Sequence, residues 1–414
     1  MGFIKSAIAQ LLLASASAAL PTVPASREVH GSNATVYDAV VVGGGPAGLS
    51  ALSGLVRVHR NVLLIDSGHY RNDPTRHMHD VIGSDGLAPA FFRWKARSQL
   101  QYYPTATMVN GTVTKINVAS ASASSNSSTN GAPFTVQATF PSGEQRSISA
   151  RGIVLATGLK DILPETPGLE ESWGKGIYWC PWCDGNEHAN QPLGILSPLT
   201  DCASSVQEIS TLNSDIICFV NGTDTPEMRA ATEKKFPRWE EYLALKNITV
   251  DNRAIASIER LKDGGEDEHP NLPTWPEHDL FRLNFTEGPS VERAAFYASF
   301  PNKQHSNVGA EMGVRLDGGR LAADPTRGLM TNIQNVYAIG DANADNITNV
   351  PHAMFSGKRA AVFLHVQLAR LETAALLAKG KTVEERDLEL DPRTIWKNMN
   401  GGAKDILDAG DFEQ

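Results

Sequence analysis

Two cysteines, Cys180 and Cys183, stand two residues apart in the stretch GIYWCPWCDGNEH, Gly176 to His188. Such a pair can be a redox dithiol, half of a zinc site or a structural disulfide, and its spacing leaves all three open. A redox pair needs one thiol held as thiolate near neutral pH, which a loop-to-helix junction favours. Zinc would need a second ligand pair, and Cys202 and Cys218, the other two cysteines, lack C-x2-C or H-x3-H spacing. No metal site is therefore expected. Beside the pair, Asp184 and His188 are the side chains able to exchange a proton with a thiol. Their plainer readings are a helix N-cap and a solvated loop histidine. Trp179 and Trp182 suit either an apolar wall for a small ring-shaped molecule or packing at a domain junction.

A second constellation precedes it. Ala39 to Val42 form a continuous apolar strand, followed by Gly43, Gly45 and Gly48 in G-x-G-x-x-G spacing and by a helix with Leu49, Leu52, Leu55 and Val56. Another apolar strand, Val62 to Ile65, ends in Asp66, eighteen residues after Gly48. Gly43 makes the tight turn, Gly45 lets backbone approach a pyrophosphate at the helix N-terminus, and Gly48 permits close helix packing. Asp66 then stands where a ribose is held. Strand, turn, helix and acid in this order predict a dinucleotide site.

These constellations need elements to hold them. A helix is predicted near APAFFRWKARSQLQYYP. Strands are predicted at GTVTKINV, FTVQATF, QRSISA and GIVLATG, with a Ser-rich flexible spacer, ASASASSNSSTNG, between the first two. After the cysteines, PLGILSPLTDCASSVQEIS reads as strand, turn and helix, and DIICFV as the next strand. ASIERLKD and LFRLNFTEG are expected to pair as a hairpin across the acidic, Pro-rich loop Gly264 to Asp279. A final strand ending at Asp341 leads to a long amphipathic helix.

The 414 residues allow two or three domains, and a net charge of -9 with no basic run interleaved with aromatics argues against nucleic acid. The N-terminus, with Lys5 before an apolar run from Ala7 to Leu20 and small residues at Ala14, Ala16 and Ala18, has the layout of a cleavable secretory signal, too short to span a membrane. Seven N-x-[ST] sequons, at Asn33, Asn110, Asn126, Asn221, Asn247, Asn284 and Asn346, agree weakly with a secreted glycoprotein.

GGGPAG at the start, LATG, CxxCDG and AIGDA, in that order between about Tyr37 and Gly380, resemble the thioredoxin reductase-like pyridine-nucleotide disulfide oxidoreductases. The resemblance implies an α/β chain of two Rossmann-like domains. An FAD domain in two pieces, 37–164 and 301–380, would enclose a NAD(P)-binding-like domain, 165–300, that carries the CxxC. A signal peptide at 1–20 would precede them and an extension at 381–414 would follow. Crossovers are expected near Pro164 and Phe300. Carried over, the FAD contacts are Gly43, Gly44, Gly45, Pro46, Ala47 and Gly48 for the pyrophosphate, Asp66 and Ser67 for the adenosine ribose, and Val113 for adenine. Asp341 would hold the ribityl chain, and the helix entered at His352 and Ala353 would point at the flavin. Arg71 and His79, in DSGHYRNDPTRHMHD, match a fungal branch better than the reductases. By the same resemblance Cys183 lies against the flavin and Cys180 exchanges with substrate sulfur. A homodimer is the family habit.

A nicotinamide site would need glycines and cations in the inserted domain. Here the turn reads GILSPLTDCASS, with Pro198, Leu199 and Thr200 where backbone should approach phosphate, and the next strand ends CFVNGT. That combination is similar to fungal dithiol oxidases, which close disulfides in small secondary metabolites and pass electrons to oxygen, giving hydrogen peroxide. Asp184 departs from that branch, which has His there. The expected function is an FAD-dependent dithiol oxidase. The alternatives are an NADPH-dependent disulfide reductase, an FAD oxidase acting on carbon, and a non-catalytic flavin-binding protein.

Overall fold

The computed structural model describes residues 36–119, 133–267, 269 and 272–378. The expected leader, nearly all of the Ser-rich spacer, the C-terminal extension and the sequons at Asn33 and Asn126 lie outside the described residues.

Runs of Val, Ile and Leu without alternation make strands buried on both faces, and these assemble a five-stranded sheet. Its order is Val336–Ala338, Ile153–Leu155, Ala39–Val42, Val62–Asp66, Ala106–Asn110, and every pairing is parallel. The strand at 336 thus returns beside residues nearly two hundred positions earlier. Strands with alternating burial form a four-stranded sheet, Val36–Tyr37, Gln145–Ala150, Phe134–Thr139 and Thr112–Val118. Val113, Phe134 and Val136 join Val40, Leu63 and Ile153 in one core.

A second parallel sheet has the order Ile177–Tyr178, Ala295–Ala298, Leu193–Leu196, Ile216–Phe219, Thr249–Asp251. Its core joins Leu193, Val206, Ile216 and Trp239. The expected hairpin forms: Ile255–Lys262 pairs antiparallel with Leu280–Phe285, which also pairs with Val291–Arg293. Between the two parallel sheets the chain crosses at Leu159–Asp161 and Asn302–Gln304, which pair with each other.

The strand expected to reach Asp341 stops at Ala338. Gly340, at φ +62, turns the chain into a short 3-10 helix, and a Cβ there would come within 2.8 Å of the Ala47 Cβ. The long helix follows, Val350–Ala378. Its length and composition would suffice to cross a membrane. Its turns up to His365 pack against helix Pro46–Val56 and the entry to strand Ile153–Leu155: a Cβ on Gly54 would lie 2.6 Å from the Ala361 Cβ, and one on Gly152 2.7 Å from the Leu364 Cδ1. A second compact unit begins at Val366 and is helical to Ala378.

Candidate functional site

The strand–turn–helix Ala39–Val56 opens onto a cavity of about 380 Å³. Gly43, Gly44, Gly45, Pro46 and Ala47 line it. Gly45 is the helix N-cap and no side chain caps the helix, so the first-turn N–H groups are left for a ligand. A Cβ on Gly44 would lie 2.1 Å from Asp66 Oδ2, and one on Gly48 would lie 1.9 Å from the Gly43 carbonyl oxygen. Gly48 is therefore a packing glycine outside the cavity lining, whereas the turn before it is a bare backbone cradle. Thr157, in the LATG segment, lines the same cavity with its buried Oγ1 unpartnered among the described residues. An open helix N-terminus, a glycine cradle and an orphaned hydroxyl fit a dinucleotide such as FAD.

The other expected contacts fall along this cavity. Asp66 and Ser67 line it at the end of Val62–Asp66, and Val113 lines it from the next sheet. Asp66 accepts bonds from the Gly68 N–H at 3.1 Å, the Tyr70 hydroxyl at 2.5 Å and Arg97 at 2.9 Å. Arg71 also lines the cavity, but its guanidinium serves carboxylates: it is bidentate to Asp161 at 2.7 and 2.8 Å and donates to Asp341 at 2.9 Å. Burial pushes the Asp341 carboxyl up, against the pull of Arg71. Ala353 lines the cavity while His352 does not, its Nε2 standing 2.6 Å from Asp345 Oδ2.

Cys180 and Cys183 form a disulfide across the four-residue helix Pro181–Asp184, with Cα atoms 5.3 Å apart. Cys183 and Asp184 line the cavity and Cys180 does not. Trp179 packs on Trp173, ring centroids 5.0 Å apart, beneath Arg71. Trp182 is 69% exposed. Of the two tryptophans, Trp179 both stacks on Trp173 and lines the cavity, and Trp182 stands free.

His188 is not a solvated loop histidine. It is fully buried behind the motif, its Nε2 3.2 Å from the Tyr178 hydroxyl, and it does not line the cavity. Burial pushes its imidazole down, against the nearby carboxylate of Glu277. The imidazoles in the cavity wall are instead His69, His77, His79 and His305. His79 Nε2 lies 3.6 Å from Glu187, and His77 Nδ1 lies 3.7 Å from Glu277, both beyond hydrogen-bond length.

Glu277 escaped the sequence reading, and it is the hub of this region. Arg76 pairs with Glu277, with Asp279 at 2.9 Å, and with Asp263. The Tyr178 hydroxyl donates to Glu277 at 3.2 Å. Two stretches already conspicuous in the sequence, DSGHYRNDPTRHMHD and the acidic loop 264–279, thus meet behind the CxxC. Nothing periodic in either could have signalled it. Burial pushes the Asp184 carboxyl well above its usual range, with Glu187 and Glu277 adding and Arg76 opposing.

At the second turn, helix Leu199–Ile209 begins after Pro198, and its Leu199 N–H is taken by Thr223 Oγ1 at 3.0 Å. Asp201 stands in its first turn, where a phosphate would be repelled, and pairs with Lys235 at 2.6 Å. Cys202 is bonded to Cys218 of the adjacent strand, a disulfide the sequence reading did not foresee.

Residues 37–202 match the pyridine nucleotide-disulphide oxidoreductase family. A protein of Arthroderma benhamiae described as a probable thioredoxin reductase is 46% identical over 353 residues, covering 83% of each chain. Thioredoxin reductase aclD of Aspergillus oryzae is 30% identical over 307 residues, 67% of this chain and 87% of that one. Among solved structures, the putative thioredoxin reductase TrxB of Bacillus anthracis has the same fold, with a TM-score of 0.66 at 23% identity over 81% of this chain and 99% of that one.

Proposed function

The chain belongs to the thioredoxin reductase-like pyridine nucleotide-disulphide oxidoreductases, whose cofactor is FAD, and we propose that within that family it is a dithiol oxidase. Its substrate is a small-molecule dithiol of secondary-metabolite type, closed to a disulfide through Cys180 and Cys183.

One observation carries this reading: the first nucleotide turn is an open glycine cradle, while the second is closed by Pro198, Thr223 and Asp201. A pyrophosphate needs close backbone approach and an available positive charge; the second turn has no glycine, and the cation beside it, Lys235, is paired with Asp201. Electrons then enter at the cysteines. Gly43 to Ala47, Asp66, Val113, Thr157, Asp341 and Ala353 hold FAD in the proposed assignment, which takes 37–164 with 301–380 as its domain and 165–300 as the insert. Bound FAD supplies a two-electron acceptor beside Cys183, with dioxygen as the outlet and hydrogen peroxide as product.

A substrate thiolate forms a bond to Cys180 Sγ, the Cys180–Cys183 bond breaks, and Cys183 leaves with the electron pair. Asp184 gives its proton to the Cys183 sulfur. The carboxylate left behind takes the proton of the second substrate thiol, whose sulfur then displaces Cys180 as a thiolate and leaves as the closed disulfide. Charge and protons balance over the two exchanges. Asp184 suits this order because burial raises its carboxyl above the usual range.

The Cys202–Cys218 disulfide, wholly buried, suits folding in an oxidising compartment, which supports the secretory reading. Exposed Phe355, Val362 and Phe363 on one helix offer a face for the second copy of a homodimer.

The relatives' names favour a second reading, an NADPH-dependent disulfide reductase. Anaerobic titration separates the two. Dithiothreitol should bleach the bound flavin and NADPH should not; rapid bleaching by NADPH would overturn the oxidase reading.

A further inference from the structure

Five of the seven sequons lie among the described residues, and their asparagines differ in what the side chain already does. A glycan is attached through Nδ2 and needs room outside the fold. At Asn284, in the middle strand of a three-stranded sheet, Nδ2 donates to Ser257 Oγ of the neighbouring strand at 3.1 Å. At Asn346 it donates to the Ala344 carbonyl at 3.3 Å. Asn110 and Asn221 are held by the other atom: Oδ1 accepts from Arg97 at 3.2 Å in the first and from the Ile255 N–H at 2.8 Å in the second. Of the five, Asn247 alone makes no side-chain hydrogen bond among the described residues. It is exposed in the turn between helix Trp239–Leu245 and strand Thr249–Asp251, and Thr249, the third residue of its sequon, is exposed as well. Its backbone is left-handed, φ +57, a conformation asparagine adopts readily after a helix, and its N–H closes the turn onto the Ala244 carbonyl at 3.0 Å. The turn stands beside an open sheet edge. Thr249–Asp251 is the last strand of the second parallel sheet and pairs, among the described residues, only with Ile216–Phe219, so its outer side presents unpaired backbone groups. Leu245, two residues before Asn247, is 80% exposed.

We propose that Asn247 carries an N-linked glycan, which covers this edge and Leu245 and keeps the edge from pairing with another chain. The proposal rests on the secretory reading above, because that route is where the modification is made. An oligosaccharide passes there from a lipid diphosphate to Asn247 Nδ2. The bond between sugar and phosphate breaks, a bond between sugar and nitrogen forms, and one amide proton leaves with the lipid diphosphate, so no oxidant or reductant is required. A bulky, hydrated group fixed at the turn shields the exposed leucine and blocks approach of a second strand. Neither the turn nor the edge strand lines the cavity, so the cysteine chemistry is left alone. At Asn284 the same addition would break the bond to Ser257 inside a paired sheet, and a chain modified there could not complete that pairing.

The test is to express the full chain in a glycosylating, secreting host, remove glycans with a peptide N-glycosidase in heavy-oxygen water, and measure by mass spectrometry the labelled fraction at each asparagine. Asn247 should be labelled in most molecules and Asn284 in almost none. An unlabelled Asn247 in the secreted chain, or a labelled Asn284, would overturn the assignment. Asn247→Asp and Thr249→Ala each abolish the sequon, at different residues. In both variants the fraction recovered unaggregated after heating should fall about twofold, with flavin bleaching by dithiothreitol unchanged. Recovery equal to that of the unaltered protein would overturn the shielding role, and so would a fall in only one of the two, which would mark a local effect of that substitution. If the chain behind its own residues 1–20 is not exported, the secretory reading fails. The same chain behind an unrelated secretion leader still meets the glycosylating compartment, and its label still decides Asn247.

Discussion

Cys202, in the first turns of helix Leu199–Ile209, is bonded to Cys218 in the middle of strand Ile216–Phe219, with Cα atoms 6.1 Å apart. The bond staples that helix to its neighbouring strand, and both cysteines are fully buried.

Replacing both cysteines by alanine should lower stability by about 3 kcal/mol, the cost of freeing a loop of this length in the unfolded chain. Denaturant unfolding measures it. Flavin bleaching by dithiothreitol should be unchanged, because in the proposed exchange the reacting sulfurs are Cys180 and Cys183; a parallel loss of bleaching would place the second disulfide in the electron path.

Gly44→Ala should strip the cofactor. The added methyl would lie 2.1 Å from Asp66 Oδ2, and Asp66 cannot withdraw because Tyr70, Arg97 and the Gly68 N–H hold it. The flavin-to-protein absorbance ratio of the purified variant should fall at least tenfold. Retention of a full complement would show that the turn shifts freely.

Arg76→Ala should destabilise the fold by about 3–5 kcal/mol, the range for removing one partner of a buried ion pair. It removes the guanidinium from Glu277 and from Asp279, whose side chains are 5% and 0% exposed. Thermal unfolding checks this, and a loss below 1 kcal/mol would mean that water replaces the guanidinium.

Acid stability should depend on Glu277. Its carboxyl sits at about 2 in the fold against an ordinary 4.5. A depressed carboxyl contributes stability that is present above its unfolded value and lost as pH falls toward its folded one. The contribution is on the order of 3 kcal/mol. The stability gap between the unaltered protein and Glu277→Gln should therefore be open at pH 6 and closing by about pH 2. A constant gap would contradict the assignment.

Asp184 carries the opposite sign. Because burial raises its carboxyl, the fold gains from its proton at low pH and loses that gain as pH rises through the raised value. Asp184→Asn should thus match the unaltered protein in acid and exceed its stability at pH 8 and above. Urea midpoints at two pH values decide it, and a variant less stable at both would show that the carboxyl is needed as a charge.

The first nucleotide turn, the order of its strand, helix and acid, the CxxC pair and the absence of phosphate-binding glycines at Pro198–Thr200 were all legible in the sequence. Each depends on residues close together in the chain, where φ freedom, strand burial and helix start are local properties. Asp184 was legible for the same reason. The tertiary structure alone decided that His188 turns inward while His77 and His79 face the cavity. It alone decided that Cys202 meets Cys218, and that Arg76 reaches Glu277 across two hundred residues. Those outcomes depend on which sheet faces which loop, and a charged side chain carries no mark of the partner that will share its burial. Local backbone chemistry wrote the glycine cradle and the spacing of the cysteine pair into the chain, and long-range charge pairing away from water fixed the cluster of side chains around Glu277.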